Sequence, residues 1–376
     1  DLQIQQRETD LIVGTFGRGI YILDNFAPLR EINADRLQKD AALFSVKDAL
    51  MYMPDYSREK SDLGESFYRA KNPDFGATFT YYLKEDIKTK KDQRKESEKE
   101  AEKNKKTAPY PSMDQLRAED EEQAPYLIFT ITDENGNVIR RLTAPAKAGV
   151  NRMTWDLRYP NVAPVSDKTE VNKQSGTPVF PGTYKVSMAK NVDGVITELA
   201  GPVSFSCKPL NNTTLPAKDR KAMVEFQRKV VRMQQAILAA TEVAGEAEQR
   251  IGALEKAALA SVGIDKTVLE KIRKMKSQIA DVKVVLTGNK SIDKRNENQQ
   301  PSVTDRLNYI IYGSWETTSD PTQTQMDAYK IAAEEFSPAL EKLKAVVTTD
   351  IKSVESELEK FDAPYTPGRL PDWKAE

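Results

Sequence analysis

The sequence predicts a multidomain chain in which β-structure is followed by α-structure. Between residues 76 and 210, short alternating apolar runs are separated by turn-forming pairs, which is typical of antiparallel strands. Between residues 216 and 361, apolar residues recur at steps of three and four, which is typical of amphipathic helices. A highly charged stretch, residues 84–124, interrupts the β-region and predicts a helical insertion.

The composition limits the classes of function. The chain has 376 residues, enough for two or three domains. Its 56 Lys and Arg residues balance 57 Asp and Glu residues, whereas nucleic-acid binders usually concentrate positive charge, so we expect no nucleic-acid partner. No stretch approaches the roughly 18–20 apolar residues of a membrane span, so we expect no transmembrane segment.

The chain contains no histidine and a single cysteine, Cys207. The absence of histidine excludes Ser-His-Asp and Cys-His catalysis, His-ligated zinc and a histidine pH switch within these residues. A single cysteine excludes an intramolecular disulfide and a thiolate metal cluster. We therefore assign no catalytic, cofactor-binding or metal-binding residue, and we expect no cofactor and no catalysis within this chain.

The first element, within residues 1–30, is predicted to be a two-stranded hairpin. Two apolar runs, residues 10–15 and 20–24, flank a turn at residues 16–19 whose glycines supply the turn conformations. An isolated hairpin is marginally stable in water, so this one requires neighbouring strands. The chain also begins at Asp1 without an initiator Met or a signal-peptide pattern, and we expect further β-structure to precede it.

Residues 31–75 are predicted to be a connector with short extended pieces, and residues 76–210 a β-domain. Asn135-Gly136 and Asp193-Gly194 predict two-residue hairpin turns. The expected strands are Ala77–Leu83, Tyr126–Thr132, Val138–Leu142, Asn151–Leu157, Gly182–Ala189 and Val195–Ser206.

The charged insertion, residues 84–124, lies between the first two of these strands. Residues 84–106 are dominated by Lys and Glu, with pairs such as Arg94 and Glu98 at helical spacing, and residues 116–122 are acidic. The prediction is an exposed, partly flexible helical excursion. The alternative is that the insertion is an arm that docks to a partner, although a run of charged residues usually forms a solvent-exposed face.

Residues 211–363 are predicted to form an antiparallel three-helix bundle, followed by a C-terminal tail over residues 364–376. In such a bundle the three apolar seams pack against one another. We favour this arrangement over one in which the seams bind a helix of a partner protein. Pro216 suits a first turn, residues 263–265 separate the first two helices, and Pro338 should kink or restart the last. A further short helix is expected near residues 303–312.

Several motifs are better explained by structural roles than by chemistry. Residues 133–137 resemble half of a calcium loop but lack the remaining ligands, so a hairpin turn is favoured. No helix follows the glycines at residues 14–19, which excludes a phosphate-binding loop. With 57 acidic residues, carboxylate pairs arise by chance, and the sequence selects none for glycoside hydrolysis.

The three tryptophans are candidates for stacking on sugars. Trp155 alternates with Met153 and Leu157, so we expect its indole in the protein core. Trp315 follows a predicted helix end, and Trp373 lies near the C-terminus. For each of them, packing of the helical bundle against the β-domain is the alternative to stacking on a sugar.

Two regions of the sequence resemble parts of a known family. "DLIVGTFGRGIYILDN" followed by "APLREI" resembles the last blade in bacterial sortilin-like and BNR/Asp-box β-propeller proteins, which are often labelled glycosyl hydrolases. "ENGNVIRRL", "GVNRMTWDLRYP" and "FPGTYKVSM" resemble the Ig-like, FlgD-type sandwich that follows this propeller. Relatives commonly carry His where this chain has Phe16, and the Asp-box itself does not occur here.

The resemblance implies a bacterial protein that is secreted or associated with the cell surface or outer membrane. It implies that residues 1–30 are the remnant of a last blade, whose first partner is the chain's own upstream propeller. The expected function is a non-catalytic scaffold with a protein or glycan partner at the cell surface. Two alternatives remain: an accessory part of a propeller glycoside hydrolase whose active site lies upstream, and a sortilin-like peptide-binding propeller that assists a surface assembly.

Overall fold

The protein has mixed β and α content, with a curled half-barrel sheet and a C-terminal helical region. The chain divides into a β-unit, Asp1–Asn161 with Glu170–Asn212, and a helical unit, Val162–Thr169 with Thr213–Glu376. The computed structural model describes residues 1–54, 70–166, 169–170, 172, 175–211, 215–314, 317–370 and 373.

The β-unit begins with a small antiparallel sheet of three strands in the order β1-β2-β3. Its strands are β1 (Leu2–Gln5), β2 (Asp10–Gly14) and β3 (Ile20–Leu23). The prediction of a two-stranded hairpin was therefore wrong in number, because β1 adds a strand on the far side of β2. A 3₁₀ turn at Ala27–Glu31 and the short helix α1 (Ala34–Gln38) follow the sheet.

Two larger sheets form the body of the β-unit. The remaining strands are β4 (Ala41–Leu43), β5 (Ala49–Met51), β6 (Ala77–Leu83), β7 (Tyr126–Asp133), β8 (Val138–Pro145), β9 (Gly149–Trp155), β10 (Arg158–Pro160), β11 (Ser175–Pro178), β12 (Gly182–Val192) and β13 (Val195–Pro209). One sheet has the order β5-β13-β12-β7-β8, the second has the order β4-β6-β9, and β10 pairs with β11. Strands β4 and β5 lie in the segment predicted to be a connector, and each pairs with a strand distant in sequence.

The two larger sheets share one apolar core. The ring of Phe79 on β6 lies 6.2 Å from that of Phe129 on β7 and 5.6 Å from that of Phe205 on β13, measured between centroids. Trp155 is fully buried against Tyr184 and Phe205, as its alternation predicts, and its Nε1–H donates to the Arg158 carbonyl at 3.0 Å. Aromatic side chains bury the largest apolar areas, so this cluster is a major contribution to the stability of the β-unit.

The two predicted turns differ in length. Asp193-Gly194 joins β12 and β13 as a two-residue turn with φ of 52° and 84°, the left-handed pair that matches the twist of a hairpin. Asn135-Gly136 lies instead in a three-residue loop, because the Asp133 N–H donates to the Asn137 carbonyl. The Asp133 carboxylate accepts the N–H groups of Asn135 and Asn137, so it completes the turn.

The charged insertion forms two exposed helices, α2 (Lys90–Lys103) and α3 (Met113–Asp120). The Arg94 guanidinium donates to both carboxylate oxygens of Glu119, at 2.6 and 2.9 Å, and also to Glu98. Bidentate pairing of this kind fixes the angle between two helices. The helical prediction is confirmed, and this ion pair joins α2 to α3.

In the residues that the structure describes, the helical unit contains three long helical segments and shorter helices between them. They are α4 (Arg220–Ala260), α5 (Lys266–Thr287), α6 (Lys290–Asp293), α7 (Val303–Ser314), α8 (Gln323–Ala345) and α9 (Ile351–Glu359), and a π-helical turn, Val346–Asp350, makes α8 and α9 continuous. Helix α7 packs against α4, α5 and α8, so the apolar core of this unit includes a helix beyond the three long segments.

Two details of the helices differ from the prediction. Helix α4 begins at Arg220, after Pro216, because the Asp219 carboxylate accepts the N–H groups of Lys221 and Ala222. Pro338, which was expected to kink or restart the last helix, lies inside α8, so the helix does not restart there. The loss of one backbone hydrogen bond there is offset by burial of the neighbouring Phe336 and other side chains of α8.

Candidate docking surface

The sheet β1–β3 presents one face composed of apolar side chains. Residues that lie opposite each other in an antiparallel pair project to the same face. Leu2 pairs with Val13 and Val13 with Tyr21, while Ile4 pairs with Leu11 and Leu11 with Leu23. The apolar face, as we name it, therefore consists of Leu2, Ile4, Leu11, Val13, Tyr21 and Leu23.

The apolar face is exposed to solvent. Leu2 is 66% exposed and Tyr21 59% exposed, and Ile4 and Leu23 are also among the exposed large apolar residues. No residue of β1, β2 or β3 is buried. Contiguous exposed apolar surface is uncommon on soluble proteins, and where it occurs it usually marks an interaction site.

Polar contacts attach the small sheet to the body of the β-unit. The Arg152 guanidinium on β9 donates to the backbone carbonyls of Asp24 and Asn25, at 2.8 Å each. The Lys47 ammonium donates to the Glu8 carboxylate and, at 3.1 Å, to the Glu8 carbonyl. The hydrogen bond from Lys47 holds the pKa of Glu8 below its ordinary value, so this carboxyl is ionised at neutral pH. These contacts fix the small sheet while its apolar face stays open.

A cavity of about 600 Å³ lies between the small sheet and the body of the β-unit. Its charged lining is mostly acidic. The acidic residues are Glu8, Asp10, Asp24, Asp48 and Asp74, and the basic residues are Lys47 and Arg152. Cavities of this volume commonly hold small ligands, and a carboxylate in such a lining can act as a general acid or base when its pKa suits the reaction.

Most of these carboxylates have structural partners. Asp10 accepts the Asn25 N–H at 2.8 Å, Asp74 pairs with Lys71 at 2.6 Å, and Glu8 pairs with Lys47. Asp48 accepts from Lys208, a hydrogen bond that holds the pKa of this carboxyl below its ordinary value. A depressed pKa disqualifies a carboxyl as a general acid near neutral pH.

Glycoside hydrolysis needs two cooperating carboxyl groups on either side of a bond. In the lining of the cavity, Asp24 is the one carboxylate without a hydrogen bond or ion pair to a described residue. One such carboxylate does not make the pair, so the geometry does not favour a hydrolytic site in this cavity.

The other sequence motifs also take structural roles. The loop at residues 15–19 is exposed, with Gly17 and Gly19 at φ of 72° and 84°, and it leads into strand β3. Among the described residues, no group of three or more acidic or cysteine side chains is placed to hold a metal ion. Across the described part of the chain, no helix combines the length and apolarity needed to cross a membrane.

The remaining tryptophans and the cysteine have different environments. Trp373 is largely exposed, and Trp315 lies outside the described residues. Cys207 is buried in the core of the β-unit, and its burial raises the pKa of the thiol to about 12. A buried, protonated thiol is a poor nucleophile, so Cys207 has the features of a structural residue.

The sequence indicated two of the three strands of the docking surface but not the surface itself. The apolar runs at residues 10–15 and 20–24 predicted β2 and β3, whereas β1 was not predicted. The roles of Arg152 and Lys47, which hold the sheet in place, could not be predicted from the sequence because their hydrogen-bond partners are distant in sequence. No protein-family model, curated protein or solved structure matches the chain.

Proposed function

We propose that this chain is a non-catalytic accessory region of a larger secreted or cell-surface β-propeller protein, and that the sheet β1–β3 is the blade remnant that joins it to the propeller. In this proposal the two larger sheets are an Ig-like sandwich that carries the charged insertion. The long helical segments form an antiparallel three-helix bundle to which α7 is added. The sandwich and the bundle act as a scaffold for a protein or glycan contact at the cell surface.

The observation that carries the proposal is the exposed apolar face of the small sheet. A three-stranded sheet needs an apolar face covered by other structure for its stability. The contacts of Arg152 and Lys47 attach this sheet without covering Leu2 or Tyr21. A neighbouring blade supplies the missing cover, because blades of a propeller pack face to face.

The sequence pattern of β3 supports the same assignment. Ile20, Tyr21, Ile22 and Leu23 are all apolar and all exposed, so both faces of the strand are apolar. Strands with this pattern are typical of sheets that are covered on both sides, whereas a solvated sheet alternates apolar and polar residues. Among the described residues that line the adjacent cavity there is no cooperating carboxylate pair, which favours the accessory role over a hydrolytic one.

The test compares residues 1–376 alone with the full-length product of the gene that encodes them. Hydroxyl-radical footprinting measures the solvent access of each side chain by mass spectrometry. We expect Leu2 and Tyr21 to be oxidised readily in residues 1–376 and to be protected in the full-length protein. Tyr110, an exposed tyrosine between α2 and α3, is the matched control and should be oxidised equally in both.

A substitution adds an energetic test. Because Tyr21 is more than half exposed in residues 1–376, Tyr21→Lys should change the stability of that chain by less than about 0.5 kcal/mol. In the full-length protein the same change removes apolar burial and places a charge in the interface, which should cost about 2–4 kcal/mol. Equal oxidation of Tyr21 in both proteins, with a neutral Tyr21→Lys in both, would contradict the proposed function.

A further inference from the structure

The chain folds back along the helical unit after α9. Phe361 lies beside Gly263, in the turn between α4 and α5, and Gly368 lies against the guanidinium of Arg250 on α4. Arg250 precedes the end of α4 by ten residues, which is about 15 Å of helix. The strap, as we name it, consists of residues 361–370 and runs back along α4 over this distance.

The strap approaches Arg250 closely at Gly368. The φ of Gly368 is 94°, and a Cβ there would lie 3.1 Å from both Cζ and Nε of Arg250, so a larger residue would displace the guanidinium or the strap. The same guanidinium donates to the buried Glu355 of α9 at 2.6 Å. Arg250 is therefore held between α9 and the strap.

The closed strap buries polar atoms that have no hydrogen-bond partner. Thr366 is 3% exposed, yet its Oγ1 makes no hydrogen bond to a described residue. The same holds for Nε of Arg250 and for Nε of Arg369, which lies 3.7 Å from the Glu359 carboxylate. A buried polar group that loses water and gains no partner destabilises the state in which it is buried. Opening of the strap returns all three atoms to water.

Few apolar contacts oppose this opening. Within the strap, Ala363 is the one residue among the buried apolar residues of the helical core. Tyr365 and Leu370 are 67% and 91% exposed, so their side chains do not anchor the strap. The Arg369 guanidinium donates to the Pro364 carbonyl at 3.0 Å, but both groups belong to the strap itself. The closed state is therefore weakly attached for a segment that crosses so much of α4.

We propose that the strap is a conformational device that opens reversibly while the helices beneath it stay folded. The open state uncovers the Arg250 guanidinium and exposes Thr366 and Arg369 to solvent. Removal of an unpartnered atom from the strap should favour the closed state, because the cost of burying that atom is lost. A larger residue at Gly368 should favour the open state. The device lies in the helical unit, so it does not depend on how the small sheet is covered.

Trypsin measures the open state, because it cleaves after Arg369 only when this side chain enters the protease. In the closed strap the side chain is 9% exposed. The rate of cleavage follows the population of the open strap when opening and closing are fast relative to cleavage. Mass spectrometry of residues 1–376 under single-cleavage conditions follows the new C-terminus at Arg369. Cleavage after Lys106, in the exposed loop between α2 and α3, is the internal reference.

Two variants should change the rate in opposite directions. Thr366→Val keeps the shape of the side chain and removes the unpartnered hydroxyl, so cleavage after Arg369 should slow by at least about fivefold. Gly368→Ala adds a Cβ at a positive φ and against the guanidinium, so cleavage should accelerate by at least about tenfold. Tyr365→Phe, the matched control, removes an exposed hydroxyl from the same strap and should leave the rate unchanged.

Other outcomes refute the strap as a reversible device. Faster cleavage in Thr366→Val would mean that its hydroxyl has a partner in the closed state. An equal rate in all variants would mean that cleavage after Arg369 does not require opening. If Gly368→Ala accelerates cleavage within α4 and α5 as much as after Arg369, the helices unfold together with the strap. Each of these results overturns the proposal.

Discussion

Arg152 is the residue whose removal tests how the small sheet is attached to the body of the β-unit. Its guanidinium donates two hydrogen bonds to backbone carbonyls, at 2.8 Å each, across the boundary between the two. Arg152→Met keeps the aliphatic part of the side chain and removes both donors. Hydrogen bonds from charged donors contribute about 1.5–3 kcal/mol each when they are shielded from water. Arg152 is exposed, so the pair together should contribute about 1–3 kcal/mol.

The effect should be local. An isolated three-stranded sheet is only marginally stable, so loss of its attachment allows it to unfold while the larger sheets remain folded. Peptides that cover residues 1–26 should therefore exchange their amide hydrogens about 5- to 150-fold faster in Arg152→Met, because each 1.4 kcal/mol corresponds to a factor of ten. Peptides that cover β7 and β8 should be unchanged.

The matched control is Arg141→Met, which removes an exposed arginine on β8 that has no side-chain hydrogen bond to the small sheet. Hydrogen exchange followed by mass spectrometry on residues 1–376 provides the measurement for both variants. If residues 1–26 exchange at the same rate in Arg152→Met and in Arg141→Met, the two backbone hydrogen bonds do not hold the sheet and the reasoning fails.

Three further predictions concern the β-unit. Gly76→Ala should destabilise the chain by about 3 kcal/mol or more in urea unfolding, since a Cβ at its φ of 132° meets a backbone carbonyl of β9 at 1.9 Å. Gly182→Ala, where a Cβ meets open space, is the control and should change stability by less than about 1 kcal/mol. Cys207, with its pKa raised to about 12, should resist iodoacetamide at pH 8 until denaturant is added, and rapid alkylation of the folded chain would refute its burial. The Lys47 hydrogen bond lowers the pKa of Glu8 in the folded state, so this contact stabilises the fold above the ordinary pKa of 4.5 and is lost as the pH falls through the lower folded value. Glu8→Gln should therefore remove the acid-dependent rise in exchange of residues 1–26 between pH about 5 and 3, and an unaltered pH profile would exclude Glu8 as its origin.

Elements with local signals were predicted well. Strand Ala77–Leu83 has the predicted bounds, and Asp193-Gly194 forms the predicted two-residue turn, because alternation and turn chemistry act over a few residues. Strand β1 was missed because its Leu-Gln-Ile-Gln pattern is short and runs directly into polar residues. Strands β4 and β5 have three residues each, and they exist only through pairing with strands distant in sequence.

The exposure of the apolar face also depends on structure that is distant in sequence, so it could not be predicted from the sequence. Periodicity identifies which residues share a face of a strand, but burial of that face depends on the arrangement of whole elements. Tyr21 and Tyr81 both lie in apolar strands, yet Tyr21 is exposed and Tyr81 is buried in the core of the β-unit. Only the fold distinguishes the two, and this distinction is what identifies a docking surface.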